Sequence, residues 1–334
     1  MKVLLYSEGM NLISKSGVGK AIRHQMKALD LNQVPFSTDK DTSNYDIVHI
    51  NTFGIKSYLL AKNARRKGKK VIMHAHTTEE DFRNSFILSN AISPLFKKWL
   101  VKVYRQGDRL ITPTPYSKSV LEKYDLQIPI HAVSNGISLD AFQRNPQKGK
   151  NFRAYYGFDE ATPIILCVGL MIHRKGILDV IEIAQQMPDC QFVWCGYTNP
   201  HLITKEIRSA IRTKPANMHF LGFVDELISA YSAADVFFMP TYEENEGIVI
   251  LEALAMKTPI VVRDIPVYDD WLDHGIHCYK GKNNSDFITY IRSILTKEAP
   301  DFSEAGYDIV KNRSLQIVGN QLKQIYSLVL GGVS

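Results

Sequence analysis

Short apolar runs alternate along the chain with longer amphipathic segments, and glycine, proline or polar clusters mark each change of period. In the first half the runs are "KVLLY" (2–6), "YDIVHIN" (45–51), "KKVIMHAH" (69–76), "DRLITPT" (108–114) and "IHAVSNGI" (130–137). Runs this short and this continuously apolar predict buried strands of a parallel sheet. Between them, "KSGVGKAIRHQMKAL", "SYLLAKNARRKG" and the basic "SPLFKKWLVKVYRQG" (93–107) carry helical spacing. The polar stretch "RNPQKGKN" (144–151) reads as a linker. The pattern then restarts, with strands at 163–169, 191–196, 218–224, 235–241 and 258–262 between helical segments. This alternation predicts an α/β protein of two doubly wound domains, residues 1–148 and 149–314. A last amphipathic segment, about 315–334, is expected to pack back on the first domain. Ligands in such folds bind beyond the carboxyl ends of the strands, which makes the cleft between the domains the expected site.

Composition supports this reading and narrows it. A chain of 334 residues with 45% hydrophobic content suits about two domains with sizeable cores. "MKVLLYSEGMN" turns polar after a short apolar run, and no stretch approaches the roughly 18 apolar residues that span a bilayer. Cys167, Cys190, Cys195 and Cys278 lack metal-type spacing and read as reduced, buried thiols of a cytosolic protein. Charge is divided unevenly. Residues 1–150 hold 24 Lys/Arg against 12 Asp/Glu, and the remainder hold 16 against 22. A basic half implies an anionic surface as partner.

The stretch "TYEENEGIVILEALAM" (241–256) carries the chemistry. It follows an apolar strand that ends near Met239 and leads into a helix expected to start near Ile248. Gly247 just before that helix lets a ligand approach the backbone, and free amides at a helix start attract phosphate. Carboxylates beside such a site suit hydroxyls, because a carboxylate accepts two hydrogen bonds from a vicinal diol. Phosphate on the amides and diols on either side describe a sugar nucleotide, with Glu252 on the ribose and Glu244 on the sugar. A solvated acidic loop at a helix start accounts for the same residues without a ligand.

The stretch resembles the E-x7-E motif of retaining glycosyltransferases of family 4, which have two Rossmann-like domains in the GT-B arrangement. Other segments resemble that family in the same order along the chain: "TPTPYSKSVL" (112–121), "SNGISLDAF" (134–142), "ILCVGLMIHRKGILDVIEIA" and the block from "FLGFVDELISAYSAADVFFMP" to "VRDIPVYDDWL". The resemblance implies that Glu244 contacts the donor hexose and Glu252 the ribose. It implies that the amides of Gly247 and Ile248 meet the diphosphate, and that Lys175 neutralises the leaving group. The family's arginine five residues before that lysine is Leu170 here, and Arg174 is the available replacement. Gly17 and Gly19, in "SKSGVGKAI", match a loop near the donor phosphates, although a G-x-G alone marks only a tight turn. Gly196 ends a strand on the donor side. His76 matches the family histidine near the reacting sugar better than His74 does; a pair of polar strand ends is the plainer account. The family prefers glycine where Lys257 stands. The acid pair in "DKD" (39–41) reads as a polar loop, because this architecture stabilises diphosphate without metal; no cofactor or metal is expected.

The basic half points to the acceptor. Phe96, Trp99, Leu100, Val103 and Tyr104 fall at helical spacing among Lys97, Lys98, Lys102 and Arg105, and Arg65 and Arg66 lie in a second basic run. A basic amphipathic helix with Trp is the kind that lies in a membrane interface. A core-packed helix with a solvated basic face is the alternative. No nucleic-acid motif is present. Within the family the chain is similar to Gram-positive enzymes that extend glucosyl-diacylglycerol, which implies glucose or galactose moved from a UDP-sugar to monoglucosyl-diacylglycerol, with retention, at the inner face of the cell membrane. The alternatives are a family member with a soluble or polysaccharide acceptor and a non-catalytic sugar-nucleotide-binding protein. A nicotinamide dehydrogenase is disfavoured, because residues 17–22 read "GVGKAI" where G-x-G-x-x-G is needed.

Overall fold

The computed structural model describes residues 1–14, 16–39 and 44–331. Of the acid pair at 39–41, Lys40 and Asp41 lie outside the described residues. The chain divides into two compact units, Met1–Glu80 with Ala91–Ser138 and Asn312–Ser334, and Asp81–Asn90 with Leu139–Lys311.

The first unit is built on six parallel strands: β1 Val3–Tyr6, β2 Phe36–Ser37, β3 Ile47–Ile50, β4 Lys70–His74, β5 Arg109–Thr112 and β6 Ile130–Ala132. Their order is β2-β1-β3-β4-β5-β6. Successive side chains alternate between faces. Val48, Ile50, Val71 and Met73 join a core with Leu100, Val103 and Tyr104. Ile47 and Ile72 face the other way, into a core with Ala28 and Leu29 of the helix Gly17–Leu31. Leu315, Val318, Leu322, Ile325, Tyr326 and Val329 of the last helix, Leu315–Val329, pack into that second core.

The second unit repeats the plan with β7 Ile164–Val168, β8 Gln191–Cys195, β9 Met218–Gly222, β10 Val236–Met239, β11 Ile260–Arg263 and β12 Tyr279–Gly281. The order is β12-β11-β10-β7-β8-β9, again parallel. β7, β10 and β11 are buried throughout, as their unbroken apolar runs require.

Two expectations are corrected. The stretch 144–151 is not a linker but the start of a helix, Pro146–Tyr156. Asn145 caps it by accepting from the Lys148 amide at 3.0 Å, and Pro146 fits the first turn, where no amide partner is needed. Arg153 in this helix donates to the Ala233 carbonyl and the Asp235 carboxylate, both at 2.8 Å, which ties the segment to the second unit. The chain accordingly leaves the first unit at Ser138 rather than at 148, and Asp81–Asn90 belongs to the second unit. The second correction concerns the basic helix, Ser89–Tyr104. Its apolar stripe faces inward: Leu100, Val103 and Tyr104 are buried, and Phe96 and Trp99 are half-buried against them. The Trp99 indole N–H donates to the Phe53 carbonyl at 2.7 Å. Trp99 and its stripe thus complete a core and are not presented outward for lipid.

The strand period places His49 on β3 and His74 on β4 on the face of Ile47 and Ile72, with His76 just beyond. Burial holds all three imidazoles below their usual 6.5, His49 at about 3 and His76 at about 4. The unfolded chain therefore binds protons that the folded chain refuses between pH 6.5 and about 4. Stability is fully present above pH 6.5 and falls as pH drops through that window, by up to about 1.4 kcal/mol per pH unit for each histidine. Urea unfolding at pH 7, 6 and 5 is expected to show this slope, flattened by roughly a third in His49→Gln, where one of three titrating groups is gone. An unchanged slope would remove His49 from the titrating set.

Candidate active site

β7 and β10 are neighbours at the point where strand order reverses: the chain runs outward from β7 through β8 and β9, then outward the other way from β10. Side chains that follow these two strands meet at a crevice beyond their carboxyl ends. The loop after β7 ends in a short 3-10 turn, His173–Lys175; the loop after β10 runs from 240 to Gly247.

Three charged side chains converge there. The Lys175 ammonium donates to Glu244 Oε1, and Arg174 Nη1 lies 3.8 Å from Glu244 Oε2. Arg174 also donates to the Glu243 carbonyl at 2.7 Å. The side chains of Arg174, Lys175 and Glu244 are only 12%, 12% and 9% exposed. Burial alone would push the Glu244 carboxyl up; the two cations outweigh it and hold the group below its usual range. Burial also draws Lys175 down, and Arg174 adds to that, while Glu244 restores only part. The Asp81 carboxylate adds to the field of Glu244 at Lys175, so the cluster holds two cations and two acids close together.

Neighbouring residues fix this cluster. Ser85 Oγ accepts from Arg174 Nε at 2.9 Å, and the Asn84 carbonyl accepts from the Arg174 amide at 3.2 Å. Asp81 accepts from the Asn245 side chain at 2.8 Å. The loop after β10 is tied to its partner where the Tyr242 amide and the Thr241 hydroxyl donate to the Arg174 carbonyl, at 2.8 and 3.1 Å. Arg263 stacks 3.9 Å over the Tyr242 ring and donates to Asp179, which also accepts from the Tyr242 hydroxyl. Sequence reasoning missed Asp81, Ser85, Asn245, Asp179 and Arg263. Only Arg263, closing an otherwise apolar strand, left a visible trace.

The helix Ile248–Ala255 leaves this loop with no side-chain cap, so its first amides have no partner within the helix. Gly247 precedes it at φ 85°, ψ 74°, a left-handed conformation. Glu252 is fully buried in the same helix and accepts from the Tyr231 hydroxyl at 3.0 Å. Gly196 follows β8, and a Cβ there would sit 1.8 Å from the Gly169 carbonyl oxygen, so bare glycine lets the ends of β7 and β8 touch.

In the first unit, Gly17 and Gly19 open the helix Gly17–Leu31, where Ser16 Oγ accepts from the Gly19 amide at 3.3 Å. His76 Nε2 is 2.9 Å from Asn51 Oδ1, and the His76 ring stacks on His74 at 4.0 Å. Thus Arg174, Lys175, Glu244, Gly247, Ile248, Glu252 and Gly196 lie in one unit, and Gly17, Gly19 and His76 in the other. Of the basic residues, Lys98, Lys102, Arg65, Arg66 and Arg105 are exposed. Lys97 sits 4.3 Å over the Tyr124 ring, 3.8 Å from Glu79. Among the described residues no group of His, Cys, Asp and Glu could hold a metal ion, and no helix is long and apolar enough to cross a membrane.

Comparison with known proteins places this geometry. Residues 31–141 match the family model described as Glycosyltransferase Family 4, and residues 149–309 match that of group 1 glycosyl transferases. The chain is 43% identical over 337 residues to a processive diacylglycerol alpha-glucosyltransferase of Acholeplasma laidlawii, covering 99% of each. It is 23% identical over 244 residues to an alpha-galactosylglucosyldiacylglycerol synthase of Streptococcus pneumoniae, covering 71% of this chain and 65% of that one. In fold it is similar to Anabaena HepE, solved with UDP and glucose, at TM-score 0.73 and 16% identity over 98% of this chain and 99% of that one.

Gly247→Ala is expected to lose about 1–2 kcal/mol of unfolding free energy, the usual cost of a left-handed residue with a Cβ; the added atom would also press on Ile250 Cγ1 at 3.1 Å. Denaturant unfolding measures this, and an unchanged midpoint would mean that the loop relaxes freely.

Proposed function

The chain belongs to glycosyltransferase family 4, and from that membership we propose that it transfers glucose from UDP-glucose to monoglucosyl-diacylglycerol, with retention, to make a diglycosyl-diacylglycerol. The observation that carries this reading is the buried Arg174–Lys175–Glu244 cluster at the β7/β10 crevice, linked by one helix to the buried Glu252. The full-length similarity to a diacylglycerol alpha-glucosyltransferase supports glucose and a lipid acceptor.

In this reading the donor divides the cluster. The hexose hydroxyls take Glu244, and the diphosphate takes Lys175 and Arg174 together with the amides of Gly247 and Ile248. Glu252 holds the ribose diol. Charge develops on the β-phosphate as the glycosidic bond breaks, and preorganised cations and amides stabilise it there most effectively. Two side-chain cations make a metal unnecessary. No protein carboxylate is assigned as nucleophile. The acceptor hydroxyl attacks from the face that UDP leaves and passes its proton to the departing diphosphate, which keeps the anomeric configuration.

The acceptor is a lipid, so the enzyme works at a bilayer. The surface proposed for this contact is the exposed side of two helices in the first unit. Ile55 and Leu59 of Ile55–Arg66 are 66% and 55% exposed, and Ile92 and Leu95 of Ser89–Tyr104 are 47% and 68% exposed. The Tyr58–Trp99 pair joins these helices, and Phe96 packs on Phe53 just ahead of the first. Lys98, Lys102, Arg65 and Arg66 supply charge for anionic headgroups, worth about 1 kcal/mol for each basic residue near the surface.

Release of UDP from UDP-glucose with monoglucosyl-diacylglycerol in anionic vesicles tests the reading. The expected rate depends on the glycolipid, falls on omission of anionic lipid and is unchanged by EDTA. Glu244→Gln and Lys175→Ala should each lower kcat by about 10²–10³-fold, the usual loss for a preorganised charge-stabilising group. Equal release without glycolipid would leave a donor site with another acceptor, and faster release from UDP-galactose would change the sugar. A second measurement is co-sedimentation of Leu59→Ser/Leu95→Ser with anionic vesicles. Weaker binding with intact turnover of detergent-solubilised glycolipid is expected; full binding would remove this surface from the proposal.

A further inference from the structure

A third loop leaves the second sheet on the side of the charged cluster. β11 runs parallel to β10, so the chain after Arg263 emerges at the same edge as the loop that carries Glu244. It forms the short 3-10 turn Pro266–Tyr268. The Asp264 amide donates to the Gly281 carbonyl at 2.9 Å, the Tyr268 amide to the Ile265 carbonyl at 3.1 Å, and the Leu272 amide to the Tyr268 carbonyl at 2.8 Å. The Trp271 indole N–H donates to the Val267 carbonyl at 2.8 Å, and its ring meets that of Tyr268 edge to face at 5.9 Å. Backbone and ring are thus held firmly, and Tyr268 is fully buried.

Its hydroxyl is not served by this packing. The oxygen is shielded from solvent and has no hydrogen-bond partner among the described residues. A buried tyrosine normally finds one, and phenylalanine would fill the same space without leaving a polar group unmet. A core residue selected for packing alone has no use for that oxygen.

The unmet group lies at the start of the helix Ile248–Ala255. A Cβ on Gly247 would stand 3.6 Å from the Tyr268 hydroxyl oxygen. That helix start has no side-chain cap, so its first amides lack acceptors as well. Burial pushes the phenol well above its usual 10.0, and Glu244 adds to the push. Tyr268 therefore keeps its proton near neutral pH and is available as a donor. An uncapped helix start and an unmet hydroxyl, from separate loops, call for one acceptor with several oxygens, which is the chemistry of a phosphate.

We infer that Tyr268 is a further catalytic residue, whose hydroxyl donates to an oxygen of the donor's β-phosphate beside the amides of Gly247 and Ile248. The assignment rests on the UDP-sugar reading proposed above. Glu244 and Arg174 both act on this hydroxyl, which puts it toward the hexose end of the diphosphate. The incoming phosphate must move the Gly247 backbone aside to reach it, and a residue without a Cβ gives way there with least obstruction. The hydrogen bond strengthens as charge collects on the β-phosphate, so it favours departure of UDP.

Calorimetric titration of the full chain with UDP, and with UMP, which lacks the β-phosphate, tests this in wild type and Tyr268→Phe. The variant is expected to bind UDP about tenfold more weakly and UMP within about twofold of wild type. Its kcat with monoglucosyl-diacylglycerol in anionic vesicles should fall about 10²-fold. Its urea midpoint without nucleotide should equal or exceed that of wild type, because an unmet polar group has been removed. Unchanged UDP affinity would overturn the inference. Equal weakening of UDP and UMP would overturn it too, by taking the contact off the β-phosphate. A lower midpoint would do the same, by showing that the hydroxyl has a structural partner. If UDP and UMP behave as expected but wild type transfers nothing to glycolipid, the proposed acceptor fails while the role of Tyr268 stands. If wild type binds no UDP, both fall.

Discussion

Glu244 is a carboxylate set where burial opposes its charge, and two cations keep it ionised. Much of the second unit serves that arrangement. Reversal of strand order between β7 and β10 opens room for a crevice. The turn His173–Lys175 brings two adjacent cations to one end of it, and the loop from 240 to Gly247 brings the acid to meet them. Removing one partner from such a cluster leaves an uncompensated buried charge, so the surroundings must hold all three in place. They do so through backbone carbonyls on Arg174 and Glu243, through Ser85 and through the Arg263–Asp179–Tyr242 set.

The first unit solves a different problem. Its polar groups avoid charge: three imidazoles lie against one another, each held below its usual pKa chiefly by burial. One unit thus gathers two cations on a buried acid, and the other a set of stacked, hydrogen-bonding imidazoles.

Much of this was legible in the chain. The parallel sheets announced themselves as apolar runs, because strands covered on both faces have no polar side to show. The end of β10 at Met239 and the helix start at Ile248 fell where Gly247 and the change of period put them. The glycine position occupied by Lys257 has φ 54°, a conformation glycine adopts without strain. Other features were hidden for physical reasons. A helix start capped by Asn and Pro has the same composition as a linker, so 144–151 was misread. An amphipathic stripe states that one face is apolar but not what covers it; for Trp99 the cover is Phe53, Tyr58 and Phe96.

The sequence by itself determined the strand–helix alternation, the glycines at the strand ends and the identity of the charged groups, since these depend on local period, backbone freedom and side-chain chemistry. Only the tertiary structure decided which groups meet. Asp81 and Asn245 are 164 residues apart, Arg174 and Ser85 are 89 apart, and Tyr326 reaches His49 across 277. No local rule carries such pairings. They arise because parallel sheets bring distant loops to one edge, and because the last helix buries its apolar face against the second core of the first unit rather than against its own neighbours in sequence.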